Sequence, residues 1–210
     1  MFDELYVLSI SDTNRDTINI NQTFNLKIMK IFKYALLAIP FLYFSCDDDN
    51  DTPEPINEEE VITTMTVTLV NHQNGSDVIT MQTQDLDGDG PNEPVITVSG
   101  PLTAGTSYAG SIQWLNEMED PAEDITEEIL EEDDEHQVFF SAAGVGMEFV
   151  YMDFDGDGNP LGTQFVLAPL GAGSGSVTIT LVHEPAKPND GLDTAGGSID
   201  IQTTFPVTVE

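Results

Sequence analysis

The chain has 210 residues, of which 38 are acidic and five basic, giving a formal net charge of −33, and it contains one cysteine. Nucleic-acid binding needs Lys and Arg against phosphates, so this balance excludes a nucleic-acid partner and favours cations and cationic ligands instead. One cysteine excludes an internal disulfide and a thiolate metal cluster, and the length is that of one or two domains.

Taken in chain order, residues 29–45 read as a lipoprotein signal peptide. Lys30 and Lys33 form a short basic region, and residues 34–44 form an apolar run of signal-peptide length, too short to span a bilayer. Ser45 precedes Cys46, which resembles a lipobox and makes Cys46 the lipidated first residue of the mature chain. This signal peptide is complete from Met29, so residues 1–28, with Asp3, Glu4, Asp12 and Asp16, read as a mis-assigned upstream extension. Residues 46–60 are acidic and contain Pro53 and Pro55, with little apolar surface, and read as a tether. The Ser-Cys-Asp-Asp-Asp run at 45–49 is similar to surface lipoproteins of the Bacteroidota. That resemblance implies a lipid anchor in the outer membrane and a domain exposed at the cell surface.

From Val61 to the C-terminus the hydropathy period is two. Val61, Thr63, Met65, Val67 and Leu69 share one face, as do Tyr108, Gly110, Ile112 and Trp114. Val177, Ile179, Leu181 and His183 form another, and Ile199, Ile201, Thr203, Phe205, Val207 and Val209 the last. Further strands are expected near 77–84, 94–99, 137–143, 147–153 and 163–169. Short β-branched and aromatic runs, punctuated by Gly, Asp, Asn and Pro, predict residues 61–210 to be an all-β, antiparallel, immunoglobulin-like β-sandwich. Residues 117–135 interrupt the pattern with twelve acids. Asp124 or Thr126 can cap one or two helical turns there, with Ile125, Ile129 and Leu130 on the apolar side. A signal-peptide helix is expected ahead of the sandwich.

Two loops repeat the pattern D-x-D-G-D-G: Asp85, Asp87 and Asp89 in the first, and Asp153, Asp155 and Asp157 in the second. Alternating Asp oxygens on a glycine turn can converge on Ca²⁺. The twelfth position, a bidentate Glu in an EF-hand, is Ile96 or Gln164 here, so neither is a complete EF-hand; the other reading is an ordinary Asp-Gly turn. Of His72, His136 and His183, the pair His136 and His183, with Glu135 or Glu184, is the candidate site for a transition metal, since two imidazoles and a carboxylate suit such an ion. The other reading is a hydrogen-bonded histidine at each strand end. No G-x-S-x-G, H-E-x-x-H or phosphate loop is present, and no enzyme is expected.

Residues 85–102, 120–140 (with Pro-Ala-Glu-Asp-Ile-Thr-Glu-Glu and Asp-Glu-His-Gln-Val-Phe-Phe) and 173–185 (with Val-Thr-Ile-Thr-Leu-Val-His-Glu-Pro) are similar to small flavobacterial surface lipoproteins. That group often carries the label type 1 periplasmic binding, which implies an α/β ligand-binding fold. The period-two pattern and the 165 residues from Cys46 onward point to the sandwich instead. The expected function is an outer-membrane-anchored, non-catalytic binding module for a metal ion or small ligand, with an outer-membrane transporter as partner. The alternative is a structural or adhesive surface protein without a small ligand.

Overall fold

A computed structural model describes residues 60–88 and 90–210. The upstream extension, the signal peptide, Cys46, nearly all of the tether and Asp89 lie outside the described residues. The described chain is all-β, with antiparallel strand pairing throughout its two sheets. The strands are β1 (Thr64–Asn71), β2 (Val78–Gln84), β3 (Val95–Val98), β4 (Tyr108–Asn116), β5 (Glu123–Asp124), β6 (His136–Ala143), β7 (Met147–Tyr151), β8 (Gln164–Pro169), β9 (Gly173–His183) and β10 (Ser198–Val209). Two short helices, α1 (Ile125–Glu131) and α2 (Leu192–Ala195), lie between strands. The larger sheet runs β3-β2-β1-β4-β8-β7, with β5 also paired to β4, and the smaller runs β10-β9-β6.

The alternation in the sequence forms the core. Met65, Val67 and Leu69 of β1, Tyr108, Ile112 and Trp114 of β4 and Phe165 and Leu167 of β8 bury their side chains from the larger sheet. Val138 of β6, Val177, Ile179 and Leu181 of β9 and Phe205, Val207 and Val209 of β10 join the same cluster from the smaller. Burying each such side chain contributes about 1.5–3 kcal/mol before the entropy of ordering is subtracted. The sheets are also tied by backbone: Leu102, after β3, donates to Thr208 O at 2.8 Å and accepts from Glu210 N at 2.8 Å. Pro206 lacks an N–H and lies on β10, an edge strand, where that donor is not needed on both sides.

The acidic segment contains the expected turn of helix. Asp124 is the N-cap of α1 and accepts from Thr126 N at 3.1 Å. Ile125 and Ile129 are buried, whereas Leu130 is half exposed. The Thr126 hydroxyl accepts from Trp114 N at 2.9 Å, which fixes α1 against β4 despite the like charges along the helix.

Alternation breaks in β10, fails ahead of β1, where Val61 is exposed, and in β4 holds with one inward position left without a side chain. In β10 the register shifts between Ile199 and Ile201, because Asp200 is an extra residue in a β-bulge opposite β9. Ile199 is therefore exposed and the inward face resumes only farther along the strand. In β4, Gly110 lies opposite Phe165, and a Cβ there would stand 2.4 Å from Phe165 Cζ. The ring occupies the space that a side chain at 110 would take. Gly110→Ala is expected to cost about 1–3 kcal/mol by overpacking, measured as a lower urea midpoint with an unchanged m-value. An unchanged midpoint would contradict the packing described.

Candidate metal centre

Strands β6 and β9 pair in a register that sets His136 directly opposite His183. Opposed residues of an antiparallel pair carry their side chains on one face, with Cβ atoms about 4.5–5.5 Å apart. The two rings have centroids 4.6 Å apart and are tilted by 57°. His183 continues the buried face of Val177, Ile179 and Leu181, and His136 that of Val138, so both imidazoles lie at the end of the core. His136 is 0% and His183 2% exposed.

Two buried carboxylates meet them. Glu60 spans both rings, with Oε1 3.1 Å from His136 Nε2 and Oε2 3.4 Å from His183 Nδ1. Its segment is fixed on the larger sheet just downstream, where Thr63 N donates to Leu115 O at 3.0 Å. Asp200 Oδ1 lies 4.0 Å from His183 Nδ1, and its side chain is fully buried. The bulge in β10 brings it there, since regular alternation with Ile199 and Ile201 inward would turn Asp200 outward.

The ring of His136 is oriented from behind. Its Nδ1 lies 3.1 Å from the carbonyl oxygen of Glu132, the C-cap of α1. A carbonyl only accepts, so Nδ1 carries the hydrogen and Nε2 faces Glu60. A backbone carbonyl holding one imidazole nitrogen while the other faces the ion is the usual support of a metal-binding histidine.

One ligand atom from each of Glu60, His136, His183 and Asp200 can be chosen so that all four lie within 4.8 Å of one another. Tetrahedral ligands about 2.0–2.1 Å from Zn²⁺ stand about 3.4 Å apart. The contacts of 3.1 Å through Glu60 Oε1, 3.4 Å through Glu60 Oε2 and 4.0 Å to Asp200 Oδ1 lie near that spacing. This cluster could hold a metal ion. A second group, Glu135, His183 and Glu184, satisfies the same condition.

The carboxylates around the pair set its electrostatics. Burial works against the charged form of His183, but Glu60, Asp200 and Glu184 outweigh it and raise its pKa above the ordinary 6.5. Burial, then repulsion from Glu60, Glu132 and Glu123, raises the Glu128 carboxyl in turn.

The two Asp-Gly loops are elsewhere and are engaged locally. Asp85 Oδ1 accepts from Asp87 N at 3.3 Å, and Asp87 Oδ2 from Asn92 Nδ2 at 2.6 Å. Asp153 accepts from Gly162 N at 2.8 Å, from Gln164 N at 3.0 Å and from the Thr163 hydroxyl. Asp155 accepts from Asp157 N at 3.0 Å, from Asn159 N at 2.8 Å and from Lys187 Nζ at 3.2 Å. Among the described residues, neither loop contributes to a group of His and acidic atoms close enough to share an ion.

The histidine pair and Glu135 and Glu184 were therefore legible, whereas Glu60 and Asp200 were not. Glu60 is the last residue of a run that reads as tether. The one signal for Asp200 is an acid between two isoleucines just after Gly196-Gly197.

The chain matches no protein-family model, no curated protein sequence and no solved structure.

Asp155 and His183 give stability opposite dependences on pH. Burial pushes Asp155 up, but its bonds from Asn159 and Lys187 hold it lower, at about 2 against an ordinary 3.8. Its contribution to stability is present above about pH 4 and is lost as pH falls through about 2. Carboxyl NMR titration should show this, and Lys187→Met should move the Asp155 midpoint upward. His183 has the opposite sign: its folded pKa is raised, so its stabilisation is full below 6.5 and is lost as pH rises through the folded value. The metal-free chain should accordingly lose this contribution as pH rises above 6.5 and through the raised folded value, and His183→Gln should flatten that part of the profile.

Proposed function

We propose that this protein is a surface lipoprotein, anchored in the outer membrane through lipid on Cys46, that binds a transition-metal ion without catalysing a reaction. The observation that carries the reading is the opposed pair His136 and His183, closed by Glu60 and Asp200. Two neutral imidazoles with two carboxylates balance the charge of a divalent ion in a buried place. The two nitrogens favour Zn²⁺ or a neighbouring transition metal over Ca²⁺ and Mg²⁺, which take oxygen shells. Four protein ligands complete a tetrahedron and leave no position for a reacting water, the pattern of a holding site rather than a hydrolytic one. The acidic surface raises the local concentration of cations around it. An outer-membrane transporter is the partner that would receive a captured ion.

Ca²⁺ at the second Asp-Gly loop is a weaker reading, because the Lys187 ammonium already sits on Asp155. The structural alternative draws on one observation: Glu60 belongs to the segment entering the larger sheet, whereas His136, His183 and Asp200 belong to the smaller. An ion here would staple the two sheets together at this end of the sandwich.

Zn²⁺ at about a hundred times its dissociation constant should stabilise the full chain by about 2.7 kcal/mol. For a domain of this size that raises Tm by roughly 5–10 °C. The shift should vanish in His136→Gln and Asp200→Asn and persist in Asp87→Asn. Equal shifts in all three variants would place the ion elsewhere, and no shift in the wild type would remove the metal reading.

A further inference from the structure

The inner centre is almost sealed. His136, His183, Glu60 and Asp200 present side chains between 0% and 5% exposed. An ion from solvent needs a way in, and the two ring nitrogens of His183 face different carboxylates. Its Nδ1 faces Glu60 and Asp200, but its Nε2 faces the other way, 3.7 Å from Glu135 Oε2. Glu135 is about half exposed and Glu184 is exposed. Each immediately neighbours one of the paired histidines in sequence, and Glu184 N donates to Glu135 O at 2.6 Å, which extends the β6–β9 pairing one step past the histidines. Glu135, Glu184 and His183 thus form a second group of converging ligand atoms, open to solvent, that shares one imidazole with the buried group.

We propose that Glu135, Glu184 and His183 Nε2 form an outer capture site for a divalent transition-metal cation, from which the ion passes across the His183 ring to the inner centre. The proposal rests on the metal-binding reading of the inner centre and adds its route of loading. A neutral imidazole offers one lone pair, so His183 ligates through Nε2 or through Nδ1 but not both. Occupancy of the two sites through this ring is therefore sequential. At the outer site Nε2 donates its pair to the ion and Nδ1 holds the proton. For ligation at the inner site Nδ1 gives up its proton to water as it donates its pair, and Nε2, released by the ion, takes up one proton from water, so the ring stays neutral and the exchange balances. The ion enters where two carboxylates and solvent meet it, and ends where a second imidazole and two buried carboxylates replace its water. Glu135 and Glu184 are positioning residues for entry and are not ligands of the final site.

The test is stopped-flow Zn²⁺ uptake by the full chain, followed by competition with a fluorescent chelator, for the wild type and for Glu135→Gln with Glu184→Gln. Glu127→Gln with Glu131→Gln, on the exposed face of α1, removes the same charge elsewhere and serves as the control. Far-UV circular dichroism and Tm of the metal-free variants confirm that each is folded. The outer-site pair should slow uptake at least tenfold, with release slowed similarly and equilibrium affinity changed less than about threefold; the control should slow uptake less than about threefold. Uptake that is unchanged, or slowed equally by the control, overturns the capture site while leaving the inner centre standing. Affinity falling in step with the uptake rate makes Glu135 and Glu184 ligands or field residues of the final site, and also overturns it. Absence of Zn²⁺ binding by the wild type removes both the inner centre and its loading route.

Discussion

The site depends on one register: the antiparallel pairing of β6 with β9 that sets His136 across from His183. Shifting it by one residue would turn one imidazole to the opposite face and separate the rings. The register is held by the core, since the same pairing aligns Val138 with Leu181 and Phe140 with Ile179. Burial of these apolar side chains thus fixes the position of two polar ones. Two imidazoles and two carboxylates at the end of an apolar core are costly unless charge and hydrogen bonding are satisfied among them. A proton or a metal ion between nitrogen and oxygen supplies that satisfaction, and the spacing suits either.

Three irregular features complete what the register begins. The β-bulge brings Asp200 inward, where straight alternation would have sent it to solvent. The chain entering β1 carries Glu60 across to the smaller sheet. The C-cap carbonyl of α1 orients His136 through Nδ1. Each is a local departure or a non-local contact, and each places one group. The acidic segment, which looks like a solvated loop, therefore reaches this cluster through the Glu132 carbonyl.

The strands were legible because they bury one face, which stamps a period of two on the sequence; β1, β4 and the outer half of β10 follow it closely, whereas β9 buries Thr180 and Val182 as well. The short helix was legible from its cap, Asp124, and from Ile125 and Ile129. The pairing of His136 with His183 could be named as a candidate because both lie at strand ends beside acids, but only the register joins them. Asp200 was hidden because a bulge has no strong signature beyond one out-of-phase acid. Glu60 was hidden among other acids whose composition is that of a tether. The two Asp-Gly loops show the converse. Their motif is conspicuous, yet Asp153 and Asp155 spend their oxygens on the backbone of their own turns and on Lys187.

The central claim is that one divalent ion sits between His136, His183, Glu60 and Asp200. X-ray absorption at the zinc edge of the Zn²⁺-loaded full chain tests it most directly. The account predicts a four-coordinate shell of nitrogen and oxygen at about 2.0–2.1 Å, with outer-shell scattering from two imidazoles that is absent in His136→Gln, which should not hold the ion. A six-coordinate, all-oxygen shell without imidazole scattering would contradict it.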